Sequence, residues 1–406
     1  MRSEETMTDA VEAKAAAPSG ASAPRRTVLT GVAASVTVGF GLGAGPKGPA
    51  PITAWAEEEG AVAAAADAAA AAQQEGAILV TGANSGVGFS AAKLMAAQGK
   101  RIVLACRTEQ KGLTAAAAIR EKVPDAKLDV IKGFGLEMTD LRSTSDYVKA
   151  FQDSGIPLDV LVLNAGIMAV PLGRTEQDHE LHFGVNHLAH FLIQDGLVPQ
   201  LRQTQERTGE RGRLVTCSSI ANTLGDLALD LTDLDWRRRG YNEWTAYCAS
   251  KAANVLLSDE VARREPTIAS NSFHPGIVTT NLVRYILPEL TAENRDPEAE
   301  RLTANGKLIK KLGIRDADEG AQTHVWLSTA PEAGNVSGKF FIDPAVEYPG
   351  ATREQLDQGG DWFLLTGKEF LAPQLRMPDR LYEWRSEANA KELWERSMEM
   401  IKPFKA

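Results

Sequence analysis

Tyr247 and Lys251 stand four residues apart in Tyr247-Cys248-Ala249-Ser250-Lys251, a spacing that puts both side chains on one face of a helix. An ammonium beside a phenol favours the phenolate. A tyrosine whose pKa is about 10 in isolation is therefore expected to drop toward the working range. Such a group protonates a carbonyl oxygen as a hydride arrives, or accepts the proton in reverse. Ser218-Ser219 close an upstream apolar run that reads as a strand, and a hydroxyl there can hydrogen-bond a developing alkoxide. Asn164-Ala165-Gly166 end another such run, and Asn186 lies inside a helical pattern. A buried amide at Asn186 is either a core group satisfied by backbone or the holder of a water that links Lys251 to solvent.

A second constellation binds phosphate. Thr81-Gly82-Ala83-Asn84-Ser85-Gly86-Val87-Gly88 lies between the first apolar strand and the first helical pattern. A dinucleotide pyrophosphate needs backbone N–H groups at a helix N-terminus and no Cβ in the way, hence the glycines. The next strand ends Ala105-Cys106-Arg107, with Lys111 close behind and no acid at its tip. NAD-preferring sites place an acid there for the ribose 2′-hydroxyl. Arg107 suits a 2′-phosphate instead, so NADP(H) is expected; the competing reading is a solvated arginine.

These residues need a scaffold, and the pattern supplies one. Short apolar runs at 77–80, 101–105, 128–134, 158–163, 213–217, 268–273 and 338–342 alternate with helical patterns. The helical patterns cover 85–98, 111–123, a stretch containing 185–193, 244–264, 319–327 and a closing amphipathic helix at 387–401. Alternation of this kind predicts an α/β fold, a Rossmann-type doubly wound parallel sheet in a single domain. Polar insertions at 288–311 and 344–379 fall late, where elements covering a substrate belong. Leu282, Val283, Tyr285 and Ile286 precede the first of them and suggest an apolar pocket; the alternative is a packed core helix.

The 406 residues are 44% hydrophobic and carry a net charge of −9, which argues against a nucleic-acid partner. Cys106, Cys217 and Cys248 form neither a disulfide framework nor a metal-ligand cluster, so no metal is expected. Residues 1–56 read as a targeting segment: Arg25-Arg26, an uncharged run to Gly45, then Ala54-Trp55-Ala56. This resembles a twin-arginine signal cleaved after Ala56; an uncleaved membrane anchor and a transit-peptide remnant are the alternatives. Such a signal implies the plastid thylakoid in a photosynthetic eukaryote, or the periplasm in a bacterium. An alanine-rich linker fills 57–76, the nucleotide-binding domain 77–343, and a C-terminal extension 344–406.

Together these motifs resemble the short-chain dehydrogenase/reductase superfamily, from about Ala77 to Phe341. Gly184-Val185-Asn186-His187-Leu188-Ala189-His190-Phe191, the Tyr247 segment through Asn254 and His274-Pro275-Gly276 resemble its retinol dehydrogenase and WW-domain oxidoreductase branch. Glu319-Gly320-Ala321-Gln322, Ser337-Gly338-Lys339-Phe340 and Lys391-Glu392-Leu393-Trp394 fit that branch too. The resemblance implies that Tyr247 is the acid/base, that Lys251 lowers its pKa and binds the nicotinamide ribose, that Ser219 polarises the carbonyl, and that Asn186 supports a proton relay. It implies NADP contacts at Gly82, Asn84, Ser85, Gly86, Val87, Gly88, Arg107, Asn164, Ala165, Gly166, Pro275, Gly276 and Thr279. Leu163 and Glu137 depart from the family pattern, Glu137 standing where an aspartate usually meets the adenine. The implied reaction interconverts a hydrophobic aldehyde or ketone and its alcohol. Members of the family are often dimers or tetramers, or membrane-associated monomers, and the sequence does not set the oligomeric state of this chain. Light-dependent protochlorophyllide reductase is an alternative, opposed by Ala253 where a cysteine is expected; a silent NADP-binding regulator is another.

Overall fold

The computed structural model describes residues 75–278, 280–282, 315–344, 346–347 and 383–405. The leader, the alanine tract, Thr279, Val283, Tyr285, Ile286 and most of both late insertions lie outside them. The sheet is built from β1 (Ala77–Thr81), β2 (Arg101–Ala105), β3 (Leu128–Asp129), β4 (Leu158–Leu163), β5 (Gly212–Cys217), β6 (Ile268–Phe273), β7 (Lys339–Asp343) and β8 (Val346–Glu347). Its order is β3-β2-β1-β4-β5-β6-β7-β8. All pairs are parallel except the last, β7 with β8. The doubly wound α/β architecture expected from the alternating pattern is the one observed.

Helices cover both faces, which is why β1 is buried at all five positions. Ala77 and Leu79 face one core, with α3 (Leu141–Asp153), α4 (Ala189–Thr208), α6 (Glu243–Arg264) and α9 (Glu387–Ile401). Ile78 and Val80 face the other, with α1 (Gly86–Ala97), α2 (Glu109–Lys122) and α8 (Gln322–Thr329). The side chains alternate as strand geometry requires. Short α5 (Gly225–Ala228) and α7 (Ala317–Gly320) complete the described helices.

Among the elements that differ from the sequence expectation, α5 and β8 are additions to it, and three others have a local cause. The third strand stops after two residues instead of running to Phe134, because the chain turns at Gly133, whose φ is +80°. Its exit then bends toward β2, where Leu136 donates to the Cys106 carbonyl at 2.8 Å. Helix α3 is absent from the sequence reading. Asp140 caps it through the Arg142 N–H, and Leu141, Thr144, Tyr147, Val148 and Phe151 bury one face. Truncating a buried phenylalanine such as Phe151 costs roughly 3–5 kcal/mol. The helix expected at 319–327 is two pieces, α7 opened by a capping box between Asp316 and Glu319, and α8.

Helix α9 spans the residues expected for the closing helix. Ser386 caps it, and Ala390, Leu393, Ser397 and Ile401 turn inward at helical spacing. Trp394 meets Phe191 edge-on at 4.8 Å, and Arg385 makes a two-point pair with Asp259. Among the described residues, no helix is long and apolar enough to cross a membrane.

Candidate active site

The strand order reverses at β1 and β4, and open α/β sheets bind ligands outside the carboxyl ends of strands at such a reversal. A cavity of about 910 Å³ lies there, near the top of the roughly 300–1,000 Å³ range of ligand pockets. Gly82, Asn84, Ser85, Gly86, Val87 and Gly88 line it, as do Arg107, Asn164, Ala165, Gly166, Ser219, Tyr247, Lys251, Pro275 and Gly276. Asn186 sits behind this wall, and Thr279 lies outside the described residues.

The phosphate end fits a dinucleotide. A Cβ at Gly88 would fall 2.3 Å from the Asn164 Nδ2 and 2.6 Å from the Gly82 carbonyl, so only glycine lets α1 start this close to β1 and β4. Gly82 and Gly86 take φ of +70° and +55°, where alanine is strained. The Ser85 hydroxyl makes no capping bond, and the first N–H groups of a helix have no partners within it. Arg107 pairs with Glu137 at 3.2 Å, and the other oxygen of Glu137 accepts from the Thr139 N–H and hydroxyl. The strand tip therefore does meet an acid, brought in by the chain beyond β3.

At the other end Tyr247 is buried at 3% exposure on α6. The Lys251 Nζ lies 5.7 Å from its ring centre and donates to the Cys217 carbonyl at 3.1 Å. Burial pushes the Tyr247 phenol up and a hydrogen bond with Ser219 pulls it down. The expected drop in its pKa is thus reversed in the protein alone: burial is the largest effect, and the bond with Ser219 offsets only part of it. Burial lowers Lys251. Ser218 donates to the Lys251 carbonyl at 2.7 Å, which leaves Ser219 as the hydroxyl beside the phenol.

Asn186 sits in a π-helical turn, Phe183–Leu188, that feeds α4. Its side chain binds both backbone groups of Ile167, at 2.8 and 2.9 Å, and the Ser250 hydroxyl at 3.0 Å. The amide is satisfied by backbone and Ser250. A Cβ at Gly166 would lie 3.1 Å from the Asn186 Oδ1 and 3.5 Å from the Lys251 Nζ, so glycine keeps the space between them open. Ala253 is fully buried in the core around α6 and does not line the cavity. Its identity therefore says nothing about this cavity's chemistry, and the sequence argument drawn from it falls.

Sequence reasoning missed several residues that hold this site. His190 reaches the Asn186 carbonyl through Nδ1 and Thr81 Oγ1 through Nε2, both at 3.0 Å. A carbonyl only accepts, so Nδ1 carries the proton and Thr81 donates to Nε2. Thr81 also accepts the N–H groups of Asn164 and Ala165. His324 meets the Asn164 Oδ1 at 2.9 Å. These pairs are up to 160 residues apart, so no local spacing announces them. Trp244, one helical turn before Tyr247, packs against its ring at 5.5 Å; that spacing was legible.

A family model for short chain dehydrogenases matches residues 76–229. Human retinol dehydrogenase 13 is 33% identical over 266 residues, 65% of this chain and 75% of that protein. The chloroplastic short-chain dehydrogenase TIC 32 A of Brassica napus is 29% identical over 275 residues, covering 67% and 81%. The crystal structure of an uncharacterized protein from Mycobacterium Paratuberculosis aligns with a TM-score of 0.53 at 26% identity, over 81% of this chain and 94% of that one. The chain belongs to the short-chain dehydrogenase/reductase family and is an NAD(P)-dependent oxidoreductase. Within the family it stands in the retinol dehydrogenase-like branch.

Proposed function

We propose that this enzyme interconverts hydrophobic aldehydes or ketones and their alcohols, with NADP(H) as cofactor and Tyr247 as the acid/base. The observation that carries the reading is the buried Tyr247, with the Lys251 Nζ 5.7 Å from its ring and Ser219 in the same wall, at the end of the cavity that Met168, Val170, Ile220 and Leu282 make apolar. When bound, the nicotinamide supplies or takes the hydride. The chain's own work is to bind and to move a proton. Ser219 and Tyr247 receive the negative charge that grows on the carbonyl oxygen, and Tyr247 gives up its proton from the phenol oxygen. Lys251 holds positive charge beside the phenolate left behind. Gly82, Gly86 and Gly88 clear the approach to the α1 N-terminus for the pyrophosphate. Asn84, Ser85, Val87, Asn164, Ala165, Gly166, Pro275, Gly276 and Thr279 complete the cofactor site.

Arg107 and the nearby Lys111 favour a 2′-phosphate over a bare ribose. Arg107→Ala should weaken NADPH about tenfold, the size of one charge-assisted bond of about 1.5 kcal/mol, since it also takes the ion-pair partner from the Glu137 Oε2. NADH should change less than twofold. Fluorescence titration of both cofactors checks this, and an equal loss for the two would make Arg107 a surface charge only.

Incubation with NADPH and retinal or aliphatic aldehydes in the dark, beside protochlorophyllide under light, tests the substrate class. Pigment reduction in light with no dark carbonyl turnover would replace the reading with that of a light-dependent pigment reductase. Residues 1–56 are proposed to direct the protein across a membrane, and a chloroplastic relative supports a plastid. The mature chain should begin near Glu57, and N-terminal sequencing of the isolated protein that returned Met1 would refute it.

A further inference from the structure

The apolar wall of the cavity has an unusual backbone. Met168, Val170 and Pro171 line the pocket, and Ala169 between them holds a φ of +49°. An alanine pays for that left-handed conformation, so something must hold it there. Val170 is gripped at both of its backbone groups. Its N–H donates to the His182 Nε2 at 3.3 Å, and its carbonyl accepts from the Tyr241 hydroxyl at 2.9 Å.

One carboxylate stands behind both grips. The Glu180 Oε1 lies 2.8 Å from the His182 Nδ1 and 3.2 Å from the Tyr241 oxygen. The same side chain accepts the backbone N–H groups of His182 and Phe183, at 2.9 and 2.8 Å. Glu180 and His182 are fully buried. A carboxylate only accepts, so the His182 proton sits on Nδ1 and Nε2 presents a lone pair to Val170. Burial and the charge of Glu180 push the Tyr241 phenol up, so it holds its one proton. That proton has two acceptors in reach, the Val170 carbonyl at 2.9 Å and the Glu180 Oε1 at 3.2 Å; the shorter contact is the grip on Val170. The ring of His182 also meets Tyr247 edge-on, at 6.2 Å.

We propose that Glu180, His182 and Tyr241 form a buried clamp that holds residues 168–171 in their left-handed kink and so sets the length of apolar substrate the cavity accepts. None of the three is a catalytic residue; they act through Val170 and are positioning residues. The inference rests on the carbonyl reductase reading of the cavity. Its substrate consequence follows from which residues move: the wall touches the apolar part of a substrate, whereas Ser219 and Tyr247 touch the oxygen.

The test uses the full chain with NADPH, decanal as the long probe and propanal as the short one. Tyr241→Phe removes one grip without changing the ring. Hydrogen exchange in a peptide covering 167–171 should quicken at least tenfold. KM for decanal should rise about tenfold, while kcat/KM for propanal falls less than threefold. His182→Leu should act alike, whereas His182→Gln, which keeps an acceptor for the Val170 N–H, should stay within threefold of the parent in both readouts. Unchanged exchange in Tyr241→Phe overturns the clamp. Equal losses for both aldehydes overturn its role in substrate length. If the parent turns over neither aldehyde, the reductase reading fails, and the exchange comparison still decides the clamp.

Discussion

Tyr247→Phe should lower kcat by at least about a hundredfold, the usual worth of a positioned acid or base, and leave the Kd for NADPH within about twofold. The change deletes one oxygen and keeps the ring. The ring's contacts with Trp244 at 5.5 Å and with the Lys251 ammonium at 5.7 Å therefore persist, and the fold should not notice. What is lost is the hydroxyl that Ser219 hydrogen-bonds. Cys248 beside it cannot substitute: it is fully buried, and burial pushes its thiol up as well. Steady-state turnover with NADPH and an aliphatic aldehyde, run with a cofactor titration on the same preparation, measures both halves. Activity within tenfold of the parent would remove Tyr247 from the chemistry.

Acid should unfold this protein early and steeply. His187, His190, His274 and His324 are buried, and burial is the main reason each pKa is lowered from 6.5 to about 3. In the unfolded chain these imidazoles titrate near 6.5, so below that pH the unfolded state binds protons that the folded state refuses. Their contribution to stability is intact above pH 6.5 and is lost as pH falls toward 3. One unit below 6.5, each group costs on the order of 1 kcal/mol, several kcal/mol for the four together. That is comparable to the whole stability of an ordinary domain. The urea midpoint should be flat between pH 7 and 8 and fall sharply between 6.5 and 5. A midpoint unchanged over that lower range would mean that these histidines do not stay neutral in the folded chain.

Much of the site is written in local pattern. The apolar runs of β1, β2 and β4 are buried on both faces and so read as near-continuous hydrophobic strands, whereas β6 is equally buried yet carries Ser270, Asn271 and Ser272. The glycine turn after β1 is a short segment whose geometry forces its composition. Tyr247 and Lys251 share a helix, so their proximity is a matter of spacing. Helix α9 announces itself by a serine cap and one apolar stripe.

Other features are equally local. Asp140 and the inward set Leu141, Thr144, Tyr147, Val148 and Phe151 spell out α3. In the run after Leu128, apolar residues suggested a long strand, yet Gly133 at a positive φ turns the chain away.

The order of elements, the glycine turn after β1 and the Tyr247/Lys251 spacing are legible in the chain alone, because each depends on neighbours within a few residues. The tertiary structure alone decided the rest. It brings Glu137 to Arg107 from another strand exit, His190 to Thr81 across 109 residues, and His182 and Tyr241 to the two sides of Val170. It also reverses the expected direction of the Tyr247 pKa. A one-dimensional reading counts the ammonium beside the phenol, but the water removed from around it is a property of the whole packed site, and here that desolvation is the larger effect.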